Sequence, residues 1–164
     1  MKKTFIISIL LFASYLAQAQ VNPHAIGIRL GGNGNINGAE VSYQHGLSER
    51  NRLEFDLGVG GNNNHARTSL IGVFHWDWNI TKGLNWYVGP GVALGFHTYR
   101  DGGNYVNVGL GGQIGLEYDF NSIGAPILIS IDGRPMWDFL GDVSGLGWGA
   151  ALGVRYTWPR SNNN

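Results

Sequence analysis

Residues 104–120 read NYVNVGLGGQIGLEYDF. From Val106 onward every even position is apolar or glycine: Val106, Val108, Leu110, Gly112, Ile114, Leu116, Tyr118 and Phe120. The odd positions are Asn107, Gly109, Gly111, Gln113, Gly115, Glu117 and Asp119. A period of two is a β-strand with one apolar and one polar face. The strand is long for an ordinary sheet, and its polar face is mostly small or chargeable. A wall between lipid and a narrow wet lumen has this pattern.

The rest of the chain repeats the alternation in seven further segments, over 24–31, 39–45, 53–60, 67–80, 84–99, 126–139 and 145–158, separated by turn chemistry such as Gly32-Asn33-Gly34-Asn35 and Thr81-Lys82-Gly83. Nearly every acid and arginine in them falls opposite the apolar row. Alternation alone also fits a soluble lipocalin-like barrel with apolar residues inside. The aromatics separate the two. In an up-and-down barrel with both termini at one rim, Trp76, Trp78, Trp86, Tyr118, Phe120, Tyr156 and Trp158 gather at that rim. Phe96, Trp137, Phe139 and Trp148 gather at the other. Two aromatic girdles around an aliphatic band are what membrane interfaces select. The expected fold is therefore all-β: an eight-stranded antiparallel up-and-down transmembrane barrel.

Composition agrees. The 164 residues carry 13% charge and 27 glycines, whereas soluble domains average about a quarter charged residues. Cysteine is absent, which removes disulfides, thiolate metal sites and lipoprotein acylation at a cysteine. Formal charge is zero, and nothing points to nucleic acid. Lys2 and Lys3, an apolar run over 5–16 and the small-x-small site Ala17-Gln18-Ala19 read as a secretory signal peptide. The expected division is a signal peptide over 1–19 and a barrel domain over 20–164. A retained membrane anchor is the alternative, but the run is short for a spanning helix.

In these features the chain resembles the small eight-stranded outer-membrane barrels of the OmpA/OmpX type and the weakly related barrels common in Bacteroidetes-like bacteria. Gly153-Val154-Arg155-Tyr156-Thr157-Trp158 matches the Gly-x-x-aromatic-x-aromatic signal by which such barrels are recognised for insertion, with Gly153, Tyr156 and Trp158 as its elements. Many members end on the aromatic, whereas here residues 159–164 follow. The resemblance implies a Gram-negative outer membrane, contact with its lipid and lipopolysaccharide, and passage through periplasmic chaperones and the barrel-assembly machinery. It implies no cofactor.

Eight strands leave an interior that side chains can fill. The register set by the Thr81-Lys82-Gly83 turn pairs Trp78 with Trp86 outside and Asp77 with Tyr87 inside. The Asn121-Ser122-Ile123-Gly124 turn places Arg134 beside Gly111, and the next hairpin places it near Ala151. The third strand, opposite, offers Glu54 and Asp56. Arg29 and Arg155 are the other interior cations, with Glu40, Glu117 and Asp132 as candidate partners. Unpaired charges there would each cost several kcal/mol, so a paired network is expected. Its favoured role is a structural plug, and the alternative is the gate of a narrow pore for ions or small solutes.

Two further readings fare less well. A lipid A acyl-modifying enzyme needs a Ser–His pair from Ser42, Ser69, Ser130 and the histidines. His75 faces Gly89 and His97 lies near Arg67, so neither histidine has an obvious serine. A metal site would have only His75 and Asp77 on one face. His45 and His65 read as rim or loop residues. The connections at 32–37, 62–65, 99–103 and 140–145 are rich in glycine and asparagine and short for adhesion. Pro90 and Pro135 fall within strands and each removes a ladder donor, so a bulge or break is expected at both.

Overall fold

The computed structural model describes residues 24–32, 37–140 and 145–158. The expected signal peptide over 1–19 and the segment after Trp158 lie outside them. Eight strands follow in order: β1 His24–Gly32, β2 Asn37–Gly46, β3 Asn51–Asn62, β4 His65–Thr81, β5 Leu84–Tyr99, β6 Asn104–Asp119, β7 Ile127–Asp138 and β8 Gly145–Trp158. Each pairs antiparallel with its sequence neighbour, and β1 pairs with β8 to close the barrel. Closure removes the free edges that an open sheet of such long strands would expose.

The alternation decides which way the wall faces. Ile28, Leu57 and Leu152 are 52%, 57% and 59% exposed, whereas Arg155 and Glu54 are 1% and 0% exposed. Among the described residues the fully buried apolar side chains are few: Ala25, Ile71, Val73, Leu128 and the ring of Tyr87. A soluble barrel would have the reverse polarity. An apolar surface this extensive needs a hydrocarbon solvent.

Both aromatic rows take the rims expected of them. At the rim bearing the termini, Trp78 stacks on Trp86 at 4.5 Å, Tyr118 meets Phe120 edge-on at 4.8 Å, and Tyr156 lies 6.3 Å from Trp158. Trp76, one rung further in on β4, is 44% exposed on the same face. At the opposite rim Trp137 sits level with Leu146, and Trp148 with Pro135.

The β4–β5 register agrees with expectation: Trp78 pairs with Trp86 and Asp77 with Tyr87. The β6–β7 register does not. β6 ends at Asp119, and residues Phe120–Ile123 form one turn of 3-10 helix. The Asp119 side chain caps that turn by accepting from Asn121 N at 2.9 Å. Gly124, at φ +88°, ends it in the left-handed region where glycine is favoured. The longer connection moves Gly111 opposite Met136, while β8 places Gly149, not Ala151, opposite Arg134. The slip is two residues in each pairing, so every side chain keeps its face.

The prolines interrupt pairing without a bulge. β4–β5 pairing stops at Val73↔Gly91 and resumes in phase at Trp76↔Val88, leaving out Pro90. β6–β7 pairing stops at Gly111↔Met136 and resumes in phase at Ile114↔Gly133, leaving out Pro135. A register shift occurs instead at Asn79/Thr81, beside the tight turn.

A charged lumen as the candidate functional site

The inward rows of every strand but β5 carry charges, and the narrow bore brings most of them together. Glu54, on β3 and fully buried, is the centre. Arg155 of β8 reaches it at 3.0 Å, Arg134 of β7 at 3.2 Å and Arg29 of β1 at 3.8 Å. Gln44 and Gln113 donate to it at 2.6 and 3.2 Å. Arg134 also donates to Asp56, lies 3.3 Å from Glu40, and donates to Gln113 Oε1 at 2.8 Å. Arg29 bonds to Glu40 and to Asp132. The other two nitrogens of Arg155 donate to Ser42 at 3.0 Å and Ser130 at 2.8 Å.

A second cluster lies nearer the termini. The Arg52 guanidinium forms a fork on Glu117, with bonds of 3.0 and 2.6 Å, and lies 3.1 Å from Asp77. Its Nε donates to His75 Nδ1 at 3.3 Å, and Asn85 donates to Glu117 at 3.3 Å. Tyr87 joins the clusters: Arg52 lies 4.9 Å over its ring, and its hydroxyl donates to Asp132 at 3.2 Å. Paired, hydrogen-bonded charges of this kind satisfy the requirement for burying ions at all.

All eight residues singled out in the sequence as interior charges therefore face the lumen, with partners partly different from those expected. Glu117 serves Arg52, and Arg155 serves Glu54. A third segment that begins at Leu53 leaves Arg52 between turn and strand and so outside the network read from the sequence. Yet Arg52, Glu54 and Asp56 share one parity, and that signal was available. Gln44, Gln113 and Asp77 fall on polar faces in the sequence, but the alternation does not assign them to the network.

Two of the three serines named as candidate nucleophiles are otherwise engaged. Ser42 and Ser130 both accept from Arg155. His75 accepts from Arg52, while His97 bonds to His65 at 2.7 Å and to Asn107 at 2.8 Å. Neither histidine has a serine partner. Among the described residues no group of three or more metal-ligating side chains occurs.

The closing motif has a local logic. Tyr156 faces outward at the terminal rim, with Trp158 beside it. Gly153 faces inward, where a Cβ would come within 2.5 Å of Ser130 Oγ and 2.7 Å of Arg155 Nη1. The glycine leaves room for Arg155 to lie across the lumen.

Above the charge network, toward the rim opposite the termini, lies a cavity of about 150 Å³ whose lining includes Arg29, Glu40 and Arg134.

Fold and interior together define a class: the small closed β-barrel that presents apolar residues to lipid and packs ion pairs inside. Solved structures bear the same fold. The chain is similar to Neisserial surface protein A, with TM-score 0.65 and 14% identity over 82% of this chain and 96% of that one. It is similar to the N-terminal β-barrel domain of Pseudomonas aeruginosa OprF, with TM-score 0.61 and 18% identity over 82% and 97%. It is also similar to Ail, the attachment invasion locus protein of Yersinia pestis, with TM-score 0.55 and 12% identity over 82% and 96%. At these identities the likeness is one of fold. No family model matches the sequence, and no curated protein matches it.

Proposed function

We propose that this chain is a non-enzymatic barrel of the Gram-negative outer membrane, serving as a structural component of the envelope, with its lumen closed by ion pairs. The carrying observation is the sharing of buried Glu54 by Arg29, Arg134 and Arg155 from three strands. Such a network ties opposite walls together and fills the bore. Residues 1–19 act as the export signal, cleaved after Ala19. Periplasmic chaperones and the assembly machinery deliver the barrel, the latter through Gly153, Tyr156 and Trp158, and lipopolysaccharide and phospholipid surround it. The pattern of that closing motif also supports kinship with the Bacteroidetes-type barrels.

Planar-bilayer recording tests the plug. The intact barrel is expected to be silent, and discrete conductance steps would overturn the reading. One observation favours a narrow pore as the second reading: the cavity meets the network at Arg134. In that case steps appear in the wild type and change with Arg134→Ala. Fractionation tests the compartment. Heat-modifiable migration in the outer-membrane fraction is expected, and a detergent-free periplasmic monomer would refute it. Lipid A of unchanged mass on expression is the outcome expected of a barrel without acyl-modifying activity.

A further inference from the structure

The half of the lumen away from the termini is furnished unevenly. On one side the inward positions are bare, as at Gly58 and Gly60 of β3 and Gly147 and Gly149 of β8. Close packing does not require this everywhere. A Cβ at Gly149 would come no nearer than 3.9 Å to another atom, and one at Gly147 no nearer than 3.6 Å. Larger side chains fit there, yet the space is open.

The other side is a polar arc across β4 to β7. Arg67 is the register partner of His97. His97 Nε2 meets Asn107 Oδ1 at 2.8 Å, and Asn107 Nδ2 donates to Asp138 Oδ1 at 2.8 Å. The arc begins on a cation and ends on an anion, and neutral groups separate them. Each arginine of the charge network has a carboxylate partner. Among the described residues Arg67 has none, and Asp138 forms no ion pair with an arginine or lysine. Both line the cavity.

We propose that this cup binds a small zwitterion of amino-acid type, its carboxylate on Arg67 and its ammonium on Asp138. Arginine offers a carboxylate two parallel donors, and Asn107 and Ser69 offer neutral hydrogen bonds beside it. A simple anion would leave Asp138 facing a like charge, and a neutral sugar would leave both charges unmatched. At about 150 Å³ the space falls below the roughly 300–1,000 Å³ of drug-sized sites, so the solute has few atoms. The ion-paired floor below stops it from passing through.

The test is saturation-transfer NMR on the folded barrel in detergent, with glycine and L-serine as probes and acetate, methylammonium and glucose as controls. Saturable binding of both zwitterions is expected, with each control about tenfold weaker or more. Arg67→Gln and Asp138→Asn are each expected to weaken binding about tenfold. Gly149→Leu fills the cup while leaving both charges in place, and is expected to abolish binding with heat-modifiable migration retained. Should a charge variant fail to fold, Gly149→Leu still decides the matter. Absence of saturable zwitterion binding, equal binding of glucose, or undiminished binding in Gly149→Leu overturns the proposal.

Discussion

Arg134 on β7 and Asp56 on β3 meet across the width of the lumen, the guanidinium donating to a carboxylate on a strand with which β7 shares no edge. Breaking a buried pair by removing one partner typically costs about 3–5 kcal/mol. Arg134→Ala is expected to lose stability of that order in urea unfolding from detergent micelles. Arg100→Ala, on an exposed connection, is expected to stay within about 0.5 kcal/mol of wild type. Arg134→Lys is expected to fall between, because an ammonium cannot span Asp56 and Gln113 with a planar fork. Equal midpoints for the two alanine variants would remove the main support for the plug.

Arg52 carries a separable prediction. Arg52→Ala leaves Glu117 and Asp77 buried without their cation, again at about 3–5 kcal/mol. Neutralising the site as a whole, with Arg52→Met, Glu117→Gln and Asp77→Asn together, is expected to recover most of that loss, since buried ion clusters are often replaceable by uncharged groups of similar volume. The comparison is read from urea midpoints. A triple variant no more stable than Arg52→Ala would show that the charges themselves hold this end of the barrel.

Gly153 separates assembly from packing. Gly153→Ala places a methyl against Ser130 Oγ and the Arg155 guanidinium, and overpacking of this sort costs about 1–3 kcal/mol. The loss is expected in purified protein refolded into detergent, where no assembly machinery is present. Wild-type stability in detergent combined with poor recovery from the outer membrane would assign Gly153 to recognition alone.

The outer face makes its own prediction. Val41 is 55% exposed midway along β2, level with Ile28 and Leu57. On a lipid-facing wall Val41→Arg is expected to cost about 2–4 kcal/mol in lipid vesicles. On a water-facing wall the same change would stay within about 0.5 kcal/mol. Unfolding titrations in vesicles distinguish the two.

The barrel was legible in the sequence because its two governing signals are local: a period of two, and aromatics at measured distances from turns. The partners inside were legible only as parity. Residues 121–124 were read as a plain turn, but the chain makes a helical turn from Phe120 and extends the connection through Pro126, which no alternation of side chains reveals. The resulting two-residue slip left Arg134 facing inward and changed only its neighbours. Arg52 is lost to a strand boundary drawn two residues late, at Leu53 where β3 begins at Asn51. The unequal furnishing of the two sides of the cup depends on which glycines share a height, and that follows only from register.

The two prolines stand at one height. Gly112 of β6 pairs with Pro90 on one side, and the phase of the β6–β7 ladder sets it opposite Pro135 on the other. Yet β5 and β6 are joined to each other without interruption from Leu84↔Tyr118 to Thr98↔Asn104. The cylinder thus contains one hairpin stitched tightly to itself and more loosely to both flanks. A wall of this kind is a chain of unequal links, and mechanical or thermal stress parts it at the weakest. Both ladders flanking the β5–β6 hairpin are interrupted at this one height, and amide protons beside the two gaps are expected to exchange sooner than those along the unbroken β5–β6 ladder.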